Sequence, residues 1–182
     1  MSQELNIIKK CIRGDERSQR TLYDTYKKSW FMIGLRYGQN KMEAEDIFQD
    51  GVVEIFNSLE SYDDKRSKFI TWSSKIVVYK ALAFLKKNSW QNLMVGLEDF
   101  DQVDNSETAI EKLSNKELTQ LISQLPIGYR VVFNMYAIEG MGHKEIAKEL
   151  GITEGTSKSQ LFKARKMLKK QIESQLNSTY YG

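Results

Sequence analysis

The sequence predicts an all-α protein in which two small helical domains are joined by a flexible acidic linker. Residues that disfavour helices are scarce, with one proline among 182 residues, whereas leucine, lysine, glutamate and isoleucine are common. Apolar residues recur at spacings of three and four along most of the chain, which is the period of an amphipathic helix. This pattern lapses once, in a stretch rich in aspartate and glutamate, so two separate helical parts are expected.

The composition indicates a soluble, cytoplasmic protein that needs no cofactor and no metal. Hydrophobic residues make up 41% of the chain, which is enough to form packed cores. Cys11 is the only cysteine and His143 the only histidine, so neither a disulfide framework nor a zinc site is expected. The opening MSQELNIIKK lacks the apolar core of a signal peptide, and no apolar run approaches the roughly 18 residues of a membrane span.

Three or four helices are predicted in the N-terminal domain, residues 1–92, and the sequence pattern places three of them. Asp15 is expected to open the first helix and Gly38 to end it, because aspartate is a good N-cap and glycine stops helices. A polar loop, residues 63–68, separates the second helix from the third, which begins at Phe69. The second helix has a broad apolar face, and its opposite face carries carboxylates at spacings of three and four: Glu43, Asp46, Asp50 and Glu54.

Residues 93–107 are interpreted as a linker, followed by the C-terminal domain, residues 108–182. The segment 93–107 holds five acidic residues and no basic one, so it is expected to repel itself and extend. Residues 1–92 carry 16 basic and 12 acidic residues, residues 93–122 carry 2 and 7, and residues 123–182 carry 9 and 5. Two basic blocks therefore flank an acidic one. An acidic surface loop would explain the same central residues.

The sharpest motif lies near the C-terminal end, where two helices meet at a glycine corner. Residues 143–150 form a two-turn helix, and Gly151 provides the positive φ that ends it. Thr153 or Thr156 is expected to cap the next helix. No acidic residue interrupts residues 156–172, and a helix with such a cationic face fits the major groove of B-DNA. The motif indicates a DNA-binding helix-turn-helix, with a helical hairpin bearing a solvated basic face as the alternative. The inner seam of its second helix is apolar: Leu161, Ala164, Leu168 and Ile172.

The two halves together resemble the extracytoplasmic-function (ECF) sigma factors, over roughly residues 14–174. In the N-terminal half the resemblance is carried by AEDIFQD followed by FITWSSKIVVYKALAFLKK, which resemble region 2 of that family. In the C-terminal half it is carried by LPIGYRVVFNMYAIEGMGHKEIAKELGITEGTSKSQLFKARKML, which resembles region 4. The resemblance implies a transcription initiation factor that binds core RNA polymerase, recognises the −10 and −35 promoter elements and promotes promoter melting.

The resemblance, rather than the spacing of residues, implies the binding roles. Three polar residues of the second helix match positions that dock on core RNA polymerase: Asp46, Gln49 and Asp50. The loop from Tyr62 to Lys68 matches the segment that captures a base flipped out of the −10 element. The residues expected to contact the −10 element are Tyr62, Lys65, Trp72, Lys75, Tyr79 and Lys80. The residues expected to contact the −35 element are Thr156, Lys158, Ser159, Phe162, Lys163, Arg165 and Lys166.

The residue types suit these roles, although each has a structural alternative. Aromatic rings stack on unpaired bases and lysines follow the backbone, yet Trp72 fits a place in the core equally well. The acidic face of the second helix fits a solvated surface. Phe162 lies off the apolar seam, where contact with a thymine methyl would account for it.

Three positions depart from the family pattern. Tyr79 stands where an asparagine that helps to recognise a −10 base is common, so the base preference there is open. Ser157 stands where a valine packs the second motif helix, and is expected to loosen that helix slightly. His143 replaces an aromatic residue, and is expected to cap the first motif helix or to contact a phosphate.

Two other classes of function remain open. A stand-alone regulator would also end in a helix-turn-helix, but residues 1–92 show no ligand-binding signature. A helical nuclease would need Asp46 and Asp50 to bind a metal, yet no histidine or glycine-rich phosphate loop accompanies them. Binding rather than catalysis is expected. The expected partners are core RNA polymerase and promoter DNA, and the family resemblance allows an anti-sigma factor as a third.

Overall fold

The computed structural model describes residues 3–87 and 115–180, which form two compact helical units. Within these ranges the secondary structure consists of eight α-helices and short helical turns, without a β-strand. The predicted all-α fold class is therefore confirmed. The predicted acidic linker, residues 93–107, lies outside the described residues.

The N-terminal unit contains four α-helices and one 3₁₀ turn. Side-chain caps open two of the helices: Asp15 accepts a hydrogen bond from the N–H of Ser18 at 2.8 Å, and Asn40 accepts one from Glu43 at 2.9 Å. Asp15 thus starts a helix where the sequence predicted it. The elements are α1 (Gln3–Ile12), α2 (Glu16–Tyr37), α3 (Lys41–Asn57), the 3₁₀ turn (Leu59–Ser61) and α4 (Phe69–Lys87).

Helix α1 was not predicted from the sequence. It is short, and isolated helices of this length are marginal in water, so packing against other elements has to stabilise it. Ile8 and Cys11 are buried, and the carboxylate of Glu4 accepts a hydrogen bond from the hydroxyl of Tyr26 on α2. Burial and the Glu4 carboxylate both raise the pKa of Tyr26, so its hydroxyl remains a donor.

The core of the N-terminal unit lies where α2, α3 and α4 meet. Trp30 is fully buried, and its indole N–H donates to the hydroxyl of Ser73 on α4 at 3.0 Å. Glycines let the helices approach closely: a Cβ on Gly34 would lie 2.5 Å from the carbonyl oxygen of Ala44. The close contact between α2 and α3 holds the outward face of α3 in place.

The C-terminal unit contains four α-helices. Pro126 directly precedes the second of them, where its missing N–H leaves no helical hydrogen bond unmade. The second helix widens into a π-helical turn, Asn134–Ile138, and Gly140, at φ 72°, ends it. In this turn the N–H of Glu139 bonds to the carbonyl of Asn134, five residues earlier. The helices are α5 (Asn115–Ser123), α6 (Ile127–Phe133), α7 (His143–Leu150) and α8 (Glu154–Tyr180).

The corner between α7 and α8 matches the predicted helix-turn-helix. Gly151 adopts the left-handed conformation, with φ 68° and ψ 34°, and its N–H bonds to the carbonyl of Ala147. The first turn of α8 is capped by Thr153, whose hydroxyl accepts from the N–H of Thr156 at 3.0 Å. The predicted seam of α8 is buried at every position: Leu161, Ala164, Leu168 and Ile172.

Candidate functional site

The outward face of α3 carries the three residues expected to dock on core RNA polymerase. Asp46, Gln49 and Asp50 are exposed, whereas the opposite side of α3 is buried. Two large apolar side chains extend the same face, since Met42 is 69% exposed and Val53 is 61% exposed. The sequence analysis did not identify either residue. Met42 stands four residues before Asp46 and Val53 four residues after Gln49, and residues at this spacing lie on the same face of a helix. These five residues form the α3 stripe, acidic in its middle and apolar at both ends.

An aromatic cluster lies at the start of α4. The ring of Tyr62 lies 5.3 Å from the ring of Phe69 and 5.3 Å from that of Trp72, measured between centroids. Phe69 is fully buried and anchors the cluster, while Tyr62 and Trp72 are half-buried. Trp72 therefore packs against the core and also keeps part of its surface in solvent.

The polar loop before α4 is organised by its own hydrogen bonds. The hydroxyl of Tyr62 donates to the carbonyl of Ser67 at 3.1 Å, and the carboxylate of Asp63 accepts from the N–H of Lys65 at 3.0 Å. Burial raises the pKa of Tyr62, and nearby carboxylates raise it further, so the hydroxyl stays protonated. The loop leaves the side chains of Lys65 and Lys68 exposed beside the aromatic cluster.

The outward face of α4 carries the remaining residues expected at the −10 element. Lys75 is exposed, and Tyr79, one turn later, is 48% exposed. Lys80 differs, because its Nζ lies 2.6 Å from Oε2 of Glu54 on α3. The Lys80 ammonium, together with the hydroxyl of Ser58, lowers the pKa of Glu54. Lys80 thus links α3 to α4, a structural role that the sequence did not predict.

The seven residues expected at the −35 element lie together on the first four turns of α8. Lys158, Arg165 and Lys166 are exposed, and the other four are half-buried. The hydroxyl of Ser159 donates to the carbonyl of Thr156 at 3.0 Å. Between these positions α8 turns a separate set of residues into the core: Ser157, Gln160, Leu161 and Ala164. The structure therefore separates a solvent-facing polar and cationic side of α8 from a buried side.

His143, the first residue of α7, does not cap that helix, which was one of the two roles expected for it. Gly142 occupies the N-cap position, and no side chain caps the helix, so the expectation that His143 is the cap is wrong. Its imidazole stacks on Tyr136, with centroids 4.6 Å apart, and Nδ1 lies 2.9 Å from Oγ of the buried Ser157. Burial lowers the pKa of His143; Lys158 and Arg165 lower it further, and Glu154 opposes them.

The described residues form neither a metal site nor a membrane span. In the described parts of the chain, no three His, Cys, Asp or Glu side chains are grouped as a metal site requires. No helix within 3–87 or 115–180 is both long and apolar enough to cross a bilayer. Asp46 and Asp50 share an exposed helix face, where carboxylates are ordinarily hydrated.

Comparison with known proteins assigns both units to one family of domains. A family model described as Sigma-70 region 2 matches residues 22–91, and one described as Sigma-70, region 4 matches residues 115–168. Together they cover more than half of the chain.

Similar proteins come from several bacteria. The ECF RNA polymerase sigma factor SigW of Bacillus subtilis is 28% identical over 179 residues, which cover 91% of this chain and 94% of SigW. SigX of the same organism is 25% identical, covering 87% and 85% of the two chains. The ECF RNA polymerase sigma-E factor of Haemophilus influenzae is 23% identical, covering 92% and 94%.

A solved structure shares the fold. It is the sigma factor RpoE from Bartonella quintana in complex with the anti-sigma factor NepR. The two chains superpose with a TM-score of 0.50 at 16% identity, and the match covers 85% of this chain and 96% of the other.

Proposed function

This chain belongs to the extracytoplasmic-function group of the sigma-70 family, whose members are transcription initiation factors, and on that premise we propose how its parts divide the task. Residues 1–92 act as region 2, which binds core RNA polymerase and the −10 element. Residues 108–182 act as region 4, which reads the −35 element, and residues 93–107 join the two. The observation that carries the proposal is that one chain holds the α3 stripe and the aromatic cluster in one unit and the cationic side of α8 in the other.

The α3 stripe is the proposed docking surface for core RNA polymerase. Asp46 and Asp50 offer carboxylate acceptors to basic side chains of a partner, and Gln49 can both donate and accept. Met42 and Val53 supply exposed apolar area at the two ends, which gains free energy when a partner covers it. A merely solvated helix face would not require two large apolar residues beside its acidic centre.

The aromatic cluster and the outer face of α4 are the proposed −10 surface. Tyr62, Trp72 and Tyr79 keep part of their rings exposed, and each ring that stacks on an unpaired base contributes roughly 1–3 kcal/mol. Lys65 and Lys75 lie exposed near these rings and would meet phosphates of the melted strand. Lys80 would take part only by sharing its charge between Glu54 and DNA.

The outer side of α8 is the proposed −35 surface. Recognition helices place their N-terminal residues against base edges in the major groove. Thr156, Lys158 and Ser159 lie in the first turns of α8, and Phe162 is positioned one turn beyond Lys158. Arg165 and Lys166 follow and would contact phosphates, which contribute affinity without sequence information.

Binding rather than catalysis is the proposed mode of action, and the polymerase carries out RNA synthesis. The site of action is the bacterial cytoplasm, where polymerase and promoter DNA meet. A stand-alone regulator is not favoured, because the chain matches region 2 as well as region 4. An anti-sigma protein, of the kind seen with RpoE of Bartonella quintana, is proposed as a further partner.

The proposal is tested by pull-down with purified bacterial core RNA polymerase, followed by run-off transcription from a genomic library. Stable binding and transcripts from promoters that share two sequence elements are expected. Salt-sensitive binding to duplex DNA without binding to core polymerase would instead identify a stand-alone regulator.

A further inference from the structure

The two helices of the helix-turn-helix are joined by a polar contact at their N-terminal ends. Nδ1 of His143, the first residue of α7, lies 2.9 Å from Oγ of Ser157 on α8. Tyr136, in the π-helical turn, stacks on the same imidazole at 4.6 Å with the ring planes 22° apart. The guanidinium of Arg165 lies 5.7 Å from the centroid of the Tyr136 ring. Three segments of the C-terminal unit therefore meet at His143.

Ser157 is the residue through which this contact reaches the DNA-binding side of α8. Its side chain is fully buried, and a buried hydroxyl without a partner costs free energy. Its chain neighbours are Thr156 and Lys158, both on the proposed −35 surface. Because successive residues of an α-helix are about 100° apart, the direction in which Ser157 is held sets the direction of both neighbours.

The charged and titratable groups around His143 favour its neutral form. Lys158 and Arg165 on α8 repel a second positive charge, and Glu154 on the same helix partly compensates. The π-helical turn contributes the ring of Tyr136. A neutral imidazole pairs with the Ser157 hydroxyl without adding to the positive charge of this corner.

We propose that His143 is a positioning residue for −35 recognition: by holding buried Ser157 and stacking on Tyr136, it sets the rotation of α8 and so the aim of Thr156 and Lys158 at the DNA. The inference rests on the proposed function of α8. It assigns to His143 no contact with DNA. Its specific consequence is that discrimination between promoters with and without a −35 element depends on the His143–Ser157 pair.

The test is run-off transcription by holoenzyme reconstituted from core RNA polymerase and the full chain. Two templates are compared: a promoter recovered from the library, and the same promoter with its −35 element replaced. The ratio of the two yields is expected to fall about three- to tenfold in His143→Ala and in Ser157→Ala, the range expected for losing one buried hydrogen bond. The double variant is expected to lose no more than His143→Ala alone, because His143→Ala already removes the contact with Ser157.

Two further variants separate positioning from general stability. His143→Asn keeps a polar atom near the place of Nδ1, so it is expected to retain the ratio to within about twofold. Ser174→Ala removes an exposed hydroxyl from the same helix and is expected to leave the ratio unchanged. Circular dichroism checks the helix content of every variant, and Ser157→Ala carries the test if His143→Ala does not fold.

An unchanged ratio in His143→Ala and Ser157→Ala would overturn the inference, as would an equal fall in transcription from both templates. The variant Lys163→Ala shows whether only the positioning role of His143 is wrong or whether the proposed function of α8 is wrong as well. If Lys163→Ala lowers the ratio and the His143 and Ser157 variants do not, only the positioning role is wrong. If none of the three lowers it, α8 does not read a −35 element.

Discussion

His143 is the only histidine of the chain, so its imidazole protons can be followed individually by NMR. We predict that they titrate with a midpoint below 6.5, because burial, Lys158 and Arg165 all disfavour the protonated ring. In urea, where these surroundings are lost, the midpoint is expected to return toward 6.5. A midpoint at or above 6.5 in the folded chain would show that His143 is not enclosed as the structure describes.

The lowered pKa of His143 also makes the stability of the C-terminal unit depend on pH. With its folded pKa below the unfolded value, His143 binds fewer protons when folded, so folding is favoured above pH 6.5. That contribution is lost as the pH falls from 6.5 through the lower folded pKa. Urea unfolding of His143→Asn, which cannot titrate in this range, is expected to depend less on pH across this interval than unfolding of the wild-type chain.

The hydrogen bond between Trp30 and Ser73 gives a third prediction at the scale of single residues. Ser73→Ala leaves a fully buried indole N–H without its partner, so it is expected to lower the free energy of unfolding by about 1–3 kcal/mol. Ser74→Ala, at the next and only half-buried position, is expected to have a smaller effect. Urea denaturation followed by tryptophan fluorescence measures both. Equal effects would show that the Trp30 contact is not specially stabilising.

Helix packing in the N-terminal unit depends on how closely α2 can approach α3. Gly34→Ala would place a Cβ 2.5 Å from the carbonyl oxygen of Ala44, and a backbone atom cannot move aside as a side chain can. We predict that this variant lowers the free energy of unfolding by at least about 1–3 kcal/mol, despite the higher helix propensity of alanine. Thermal denaturation by circular dichroism measures the change.

Gly142→Ala is the control, because nothing lies within 4 Å of the Cβ that it adds and its φ of −74° suits any residue. It replaces a favoured N-cap residue, so it is expected to lower stability, but by less than Gly34→Ala because the added Cβ meets no other atom. Tolerance of Gly34→Ala would mean that α2 and α3 are less tightly apposed than described.

Most helices of the chain could be predicted from local signals. Asp15 as a cap, Gly151 as a left-handed corner and the Leu161–Ile172 seam act within one or two helical turns, so they are readable from neighbouring residues. Helix α1 and the π-helical turn escaped prediction. The first is held by packing against α2, and the second is defined by the bond from Glu139 to Asn134.

At the scale of the whole molecule, the proposed division of roles predicts that binding to core RNA polymerase and use of a promoter can be impaired by separate substitutions. Asp46→Ala combined with Gln49→Ala is expected to weaken binding to core RNA polymerase about tenfold or more, as loss of a central interface contact does. Lys163→Ala is expected to weaken promoter use about tenfold while sparing core binding. Quantitative pull-down and run-off transcription measure the two properties on the same preparations.

Matched variants control for charge. Glu16→Gln removes one exposed carboxylate of the N-terminal unit outside the α3 stripe, and Lys170→Ala removes one exposed lysine of α8 about two turns beyond Lys163. Both are expected to behave like the wild-type chain. If Glu16→Gln weakened core binding as much as the double variant, net charge rather than the α3 stripe would govern the interaction.

The sequence by itself determined the helical class, the places of most helices and, through its likeness to a known family, the function. These features depend on interactions between residues close in sequence or on motifs formed by consecutive residues. Only the tertiary structure showed that Lys80 pairs with Glu54, that Met42 and Val53 are exposed, and that His143 contacts Ser157. Lys80 lies 26 residues from its partner Glu54, and His143 lies 14 residues from Ser157. Whether the two side chains of each pair meet depends on the angle at which their helices cross. No local sequence pattern specifies that angle.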